Sequence, residues 1–212
     1  MIKIHGVNIS PFVRKIRVAL AEKGLAYDLV PANPFAPSPE FLALTPMRKI
    51  PVLQDDTVTL PDSSVIVAYL ERRHPEPALL PQDPAQYGRA LFYEEYADTV
   101  VVGALAPVFI QRIVIPRMMS GTPDEKVIAD ALERTPAVLD YLEGELSERE
   151  WLAGGQFSVA DIAVASPFVN WGYAGEKVDA GRWPKLASYI TRVHGRPSFR
   201  ALIEEESAAF RG

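Results

Sequence analysis

The sequence predicts an α/β first domain followed by an all-α second domain, on three observations. Up to about residue 75, short strand-like stretches alternate with helical patterns in the order βαβαββα, the order of a small mixed sheet covered by helices. The stretch His74-Pro-Glu-Pro-Ala-Leu-Leu-Pro-Gln-Asp-Pro then carries four prolines and no periodicity, and reads as a linker. Beyond it, long helical patterns follow and no strand pattern does. The domains are therefore residues 1–75 and 87–212, joined by a linker at 76–86.

Each element has its own signal. Ile2 and Ile4 alternate with Lys3 and His5, as in a half-buried strand. Ser10 is a good N-cap and Pro11 suits the first helical turn; the helix runs to Lys23 and stops at Gly24, a good C′ residue. Residues 27–30 form a second short strand. A loop with Pro31, Pro34, Pro37 and Pro39 leads to a short helix at about 40–44. Pro51-Val-Leu-Gln and Val58-Thr-Leu pair as a hairpin across Asp55-Asp56, and a helix at about 63–73 closes this half. Helices are then expected at about 85–115, 124–146, 159–173 and 184–193, with a short last one at 199–206.

Composition narrows the function. The 212 residues suffice for a sizeable core, and 48 % hydrophobic with 23 % charged residues is ordinary for a soluble globular protein. A net charge of −5 and a pI near 5.3 argue against a nucleic-acid partner. Cysteine is absent, which removes disulfides, thiolate metal sites and a cysteine nucleophile. No signal-peptide pattern opens the chain. The longest apolar stretch, 100–110, is broken by Pro107 and is about half a membrane span. A soluble, cytoplasmic protein without a membrane partner is expected.

The first helix has its charges misplaced. A helix start is electropositive and favours acids, yet Arg14, Lys15 and Arg17 follow Ser10-Pro11, with no acid before Glu22. Either the helix start awaits an anion, or these are a solvated basic face beside an ordinary serine cap.

Five motifs, in order, resemble those of the cytosolic glutathione S-transferases, and together they span almost the whole chain. They are Ser10-Pro-Phe-Val-Arg-Lys with Ala19-Leu-Ala-Glu-Lys-Gly; Pro46-Met-Arg-Lys-Ile-Pro-Val-Leu; Asp62-Ser-Ser-Val-Ile-Val-Ala-Tyr-Leu; Trp151-Leu-Ala-Gly-Gly-Gln-Phe-Ser-Val-Ala-Asp-Ile; and Arg196-Pro-Ser-Phe. The resemblance implies a thioredoxin-like first domain, glutathione as substrate, transfer of its thiol to a small apolar electrophile, and a homodimer. Two departures stand out: the family usually has glycine where Arg48 stands, and glutamate where Asp62 stands.

What the resemblance implies can be carried onto single residues. A free thiol titrates near about 8.5, so the enzyme must favour the thiolate, the nucleophilic form. Ser10 resembles the serine of the tau and zeta classes, whose hydroxyl donates to the sulfur; its oxygen can still accept from the N–H of Phe12 or Val13. Arg14 and Lys15 would add positive potential. Ile50, before a cis Pro51, would hold the extended peptide as an added strand. Asp62 would take the γ-glutamyl ammonium, and Ser63 with the helix N–H groups its carboxylate. Lys49, and less directly Arg48, would face the glycyl carboxylate.

Other candidates are weighed on their own chemistry. Ser158 and Asp161 form a capping-box variant, with Phe157 and Ile162 at staple spacing, which is folding chemistry rather than catalysis. His5, His74 and His194 show no ligand spacing, so no metal is expected. Tyr93, Phe109, Trp171 and Tyr173 are candidates for an electrophile pocket, although such aromatics also serve as plain core. A glutathione-dependent isomerase is a second enzymatic reading. A ligand- or protein-binding member of the fold without catalysis is the third, and retention on immobilised glutathione separates it from the enzymes.

Overall fold

A computed structural model of the chain describes residues 1–146 and 149–211, with side chains through residue 208. Its contacts divide it into two units, Met1–Leu80 together with the chain from Pro197 on, and Pro81–Arg196.

The first unit holds β1 (Ile2–Gly6), α1 (Pro11–Glu22), β2 (Tyr27–Pro31), α2 (Pro39–Leu44), β3 (Val52–Gln54), β4 (Thr59–Pro61) and α3 (Ser63–Arg73). The sheet order is β2-β1-β3-β4, with β1 parallel to β2 and β3 antiparallel to both its neighbours. This is the small mixed α/β sheet that the element order predicts, and the thioredoxin-like domain that the resemblance implies. Strand alternation sorts the core into two faces. Ile4 lies opposite Leu53 on the face covered by α1 and α3, where Val13, Ile16, Leu20, Ile66 and Leu70 are buried. On the other face His5 lies opposite Val52, which packs with Ala32 and Phe41 under α2. The β3–β4 turn is built on Asp55, whose Oδ1 accepts from the Thr57 and Val58 N–H groups, while Oδ2 accepts from Tyr69 of α3.

Both ends of the chain complete this unit. The last helix, α10 (Pro197–Arg211), packs on α1 and is longer than the 199–206 segment expected. By its contacts, the chain from Pro197 on groups with this unit. The start of the linker is also bonded to this unit: the Lys23 ammonium donates to the His74 and Pro77 carbonyls and pairs with Glu71, which accepts from the Leu79 and Leu80 N–H groups.

The second unit is helical among its described residues. Its first helix runs unbroken over Pro84–Met118. It comprises α4 (Pro84–Tyr96), α5 (Val102–Phe109) and α6 (Ile115–Met118), joined by wider turns at Ala97–Val101 and Ile110–Val114. Pro107 sits inside α5 without ending it, so the helix expected at about 85–115 runs through the proline. The helix is long and apolar enough to cross a membrane by length and composition, with a mean hydropathy of 1.8 over 18 residues, a third of them buried. Then come α7 (Glu125–Glu145), α8 (Val159–Tyr173) and α9 (Pro184–His194). Helix α8 is buried from Val159 through Trp171 and packs on α4, α5 and α9, so it forms the core of this unit.

Candidate functional site

Three separated segments meet at one end of the sheet, and the strand register shows how. His5 pairs with Val52, and Val52 pairs with Pro61. One step further, the pairing sets the end of β1 beside Pro51, and Pro51 beside Asp62. A Cβ built on Gly6 would lie 2.5 Å from Val13 Cγ2 and 3.6 Å from Ile50 Cβ. Glycine at this position therefore allows the first turn of α1 and the residue before Pro51 to close on the strand end. The spacing around Gly6 carries no signal of this role, and sequence reasoning missed it.

Ser10 caps α1: its Oγ accepts from the Val13 N–H at 3.4 Å and its carbonyl from Arg14 N–H at 2.8 Å. The capping contact uses only an acceptor of the hydroxyl, so its proton remains free to donate. Phe12 lies in the same turn, half-buried. Ile50–Pro51 is a cis peptide bond; Ile50 is half-buried, Pro51 buried and Lys49 exposed. Asp62 lies at φ 79, and its Oδ1 accepts from the Ser64 and Val65 N–H groups at 2.9 and 3.2 Å, capping α3. Its second oxygen takes part in neither bond. Ser63 is buried at the helix start. A non-glycine residue at such a φ carries a strain of about 1–3 kcal/mol, tolerated where surrounding structure fixes it.

Chemically, this end of the sheet offers a helix start with a free hydroxyl proton, a backbone edge at Ile50, and an acid beside a second helix start. The first suits an anion, the second an extended peptide, and the third a group carrying both an ammonium and a carboxylate.

Arg48 adds a detail. It is exposed and lies at φ 55, in the left-handed region that favours glycine. The backbone thus accounts for the glycine usual in similar sequences.

The cations of α1 have other partners. Arg14 is fully buried and held by Glu206 of α10 through two bonds, Nε to Oε1 at 3.0 Å and Nη2 to Oε2 at 2.5 Å. Arg17 pairs with Glu205 at 2.6 Å and donates to the Tyr27 hydroxyl, and Lys15 is buried. The expected contribution of Arg14 to a site anion is therefore corrected: its charge is met by a carboxylate from the far end of the chain.

The remaining sequence candidates lie in the second unit. Asp161 is fully buried and accepts from four donors: Leu152 N–H at 3.0 Å, Ser158 N–H at 2.9 Å, the Ser158 hydroxyl at 3.2 Å and the Tyr189 hydroxyl at 2.9 Å. Burial nonetheless pushes its carboxyl up to about 6. Tyr93 is buried and donates to Glu145, beside Arg149; burial and that carboxylate raise the phenol. It lines an open cleft of about 450 Å³ with Ala85, Gly88, Arg89, Phe92, Tyr141 and Glu145. Phe109 and Trp171, both buried, and Tyr173, half-buried, do not line that cleft. Among the described residues the Trp171 indole N–H has no partner.

Comparisons with known proteins show the family. Residues 4–78 match the family model of the glutathione S-transferase N-terminal domain, and residues 96–197 that of the C-terminal domain. A probable glutathione S-transferase, GSTF2, of Oryza sativa subsp. japonica is 29 % identical over 92 % of this chain and 93 % of its own length. FtsZ-localized protein A of Caulobacter vibrioides is 28 % identical over 95 % of this chain and 90 % of its own. Among solved structures, glutathione S-transferase-I bound with lactoylglutathione superposes with a TM-score of 0.85 at 27 % identity, covering 96 % of this chain and 98 % of that one.

Proposed function

Because this chain belongs to the glutathione S-transferase family, we propose that it is a glutathione transferase that conjugates the glutathione thiolate to a small apolar electrophile. The observation that carries the reading is the meeting of Ser10, Ile50–Pro51 and Asp62-Ser63 at one end of the sheet. Glutathione lies along the Ile50 edge, its γ-glutamyl ammonium against Asp62 and its carboxylate on Ser63 and the start of α3. Phe12 borders the thiol, and Lys49 faces the glycyl end. Ser10 donates its hydroxyl proton to the sulfur, and the dipole of α1 favours the charge there. Holding thiolate and electrophile together supplies the remaining acceleration. No metal is needed for any of these steps.

Tyr93, Phe109, Trp171 and Tyr173 are the candidates for an electrophile pocket. A homodimer is part of the same reading. Tyr87, Leu91, Phe92, Val100 and Tyr141 are large apolar side chains exposed on α4, its continuation and α7, a face suited to a second copy of the chain. Light scattering at micromolar concentration should report the dimer mass, and a monomer mass removes this part of the proposal.

Glutathione-agarose retention followed by a conjugation screen over aryl halides, epoxides and enals tests the activity. Retention with turnover of at least one class is expected. The Caulobacter relative, named for its localisation with FtsZ, favours a second reading: a protein-binding member of the fold. Retention without turnover, or no retention, supports that reading instead.

A further inference from the structure

The first turn of α1 sets a buried charge pair close to the proposed thiol site. The Arg14 N–H donates to the Ser10 carbonyl at 2.8 Å, so the two residues stand one turn apart. The Arg14 guanidinium is 0 % exposed, as is the Glu206 carboxylate that it meets at 3.0 and 2.5 Å. Charges so buried are shielded little by water or salt, and act over a helical turn or two. The other charged groups of α1, and of α3 and α10 packed against it, weigh less or stay constant. Arg17 and Glu205 pair with each other, and Glu71 with Lys23. Arg72 and Arg73 of α3 and Arg200 and Glu204 of α10 are exposed, and Asp62 caps the far helix start. Lys15 is buried next to Arg14 and is the same in every comparison below.

We propose that Glu206 is a positioning residue for the thiol chemistry: by holding and neutralising the Arg14 guanidinium, it keeps the bound glutathione thiolate basic and strongly nucleophilic. The inference rests on the glutathione reading above. A guanidinium left without its carboxylate one turn from the sulfur would favour the thiolate and lower the thiol's pKa. A thiolate of lower pKa is a weaker nucleophile. The buried carboxylate therefore trades some ionisation at neutral pH for reactivity, which suits electrophiles of low intrinsic reactivity, alkyl halides rather than enals. In that reaction the sulfur lone pair forms the S–C bond while the carbon–halogen pair leaves with the halide, and no further reactant is required.

Thiolate absorbance of bound glutathione against pH tests this in the wild type, Glu206→Gln, Arg14→Gln, the double variant and Glu205→Gln. Saturating glutathione also stabilises each native state. Glu206→Gln uncovers the guanidinium and should lower the bound pKa by about half a unit to one unit. Arg14→Gln uncovers the carboxylate and should raise it by about as much. The double variant is neutral, as the pair is, and should titrate like the wild type. So should Glu205→Gln, whose side chain is half exposed and screened. Shifts of opposite sign that cancel in the double variant are not produced by a misplaced helix. With iodoethane at a pH where all the bound thiol is ionised, Glu206→Gln should react about twofold to threefold more slowly than the wild type. A bound pKa that neither single variant moves, or that both move in one direction, overturns the proposal while the glutathione reading stands. An undiminished rate at high pH overturns the preference for sluggish electrophiles. If Glu206→Gln does not fold, Arg14→Gln decides alone: a raised pKa supports the proposal and an unchanged one overturns it. If the wild type binds no glutathione, the glutathione reading falls and takes the proposal with it.

Discussion

The first helix is tied to the last by Arg14 and Glu206, whose side chains are both fully buried and joined by two bonds. Arg14, the first of the misplaced charges at the helix start, thus has its anion, a carboxylate 192 residues away. The thiol site proposed at Ser10, one turn earlier, is left to the hydroxyl and the backbone N–H groups.

Removing one partner of a buried ion pair strands the other charge, at about 3–5 kcal/mol. Glu206→Gln should therefore lower the unfolding free energy by about that much in urea denaturation. Glu205→Gln, whose side chain is half exposed, should cost less than about 1 kcal/mol. Equal effects of the two variants would mean that the buried pair carries no special weight.

Asp161 is read as a structural acid. Asp161→Ala leaves two N–H groups and two hydroxyls without their acceptor, so a loss of about 3 kcal/mol or more is expected. Glutathione affinity of the folded fraction should be unchanged. A variant of normal stability and lost activity would instead mark Asp161 as catalytic.

The same carboxyl sets a pH dependence. Its folded value of about 6 lies above the ordinary 3.8, so between these values the native state binds more protons than the unfolded chain. Stability from this group therefore falls as pH rises from about 4 to about 6. Comparison with Asp161→Asn cancels the other titrating groups. The wild-type advantage over that variant should shrink by about 2 kcal/mol between pH 4.5 and 7. A constant difference would show that the four donors hold the carboxylate at its ordinary value.

Ser63→Ala and Asp62→Ala should weaken glutathione binding far more than they change the pKa of the bound thiol, because the proposed site has them hold the γ-glutamyl end. Calorimetry paired with thiolate absorbance measures both. Unchanged affinity in either variant contradicts the assignment of that end.

The element order was legible because each strand and helix of the first unit carries its own periodicity and caps, as Ser10-Pro11 and the Asp55 turn do. What was not legible depends on distant partners. Glu206 occupies a core position on α10, but an acid there looks like any exposed helix residue until Arg14 is placed beside it. The wider turns that flank α5 carry no local signal in the sequence. The cis Glu76–Pro77 bond has no sequence signature either. For the site, motifs name the segments, whereas only the β1–β3–β4 register and the bare face of Gly6 bring them together. Arg48 is intermediate: the missing glycine is visible in the sequence, and the φ of 55 gives the reason for it.

The most direct test of the central claim, that Ser10 activates the thiol, follows thiolate absorbance of bound glutathione against pH in the wild type and Ser10→Ala. Hydrogen bonds to charged groups are worth about 1.5–3 kcal/mol, so the bound pKa should rise by about one to two units. Most affinity should remain, because the Ile50, Asp62 and Ser63 contacts survive. Conjugation at neutral pH should fall about tenfold or more and recover in part at high pH. Both proteins are compared well below their melting temperatures, since the variant also loses a helix cap. Superimposable titration curves would contradict the claim, leaving Ser10 a cap and the activation to the backbone N–H groups of α1.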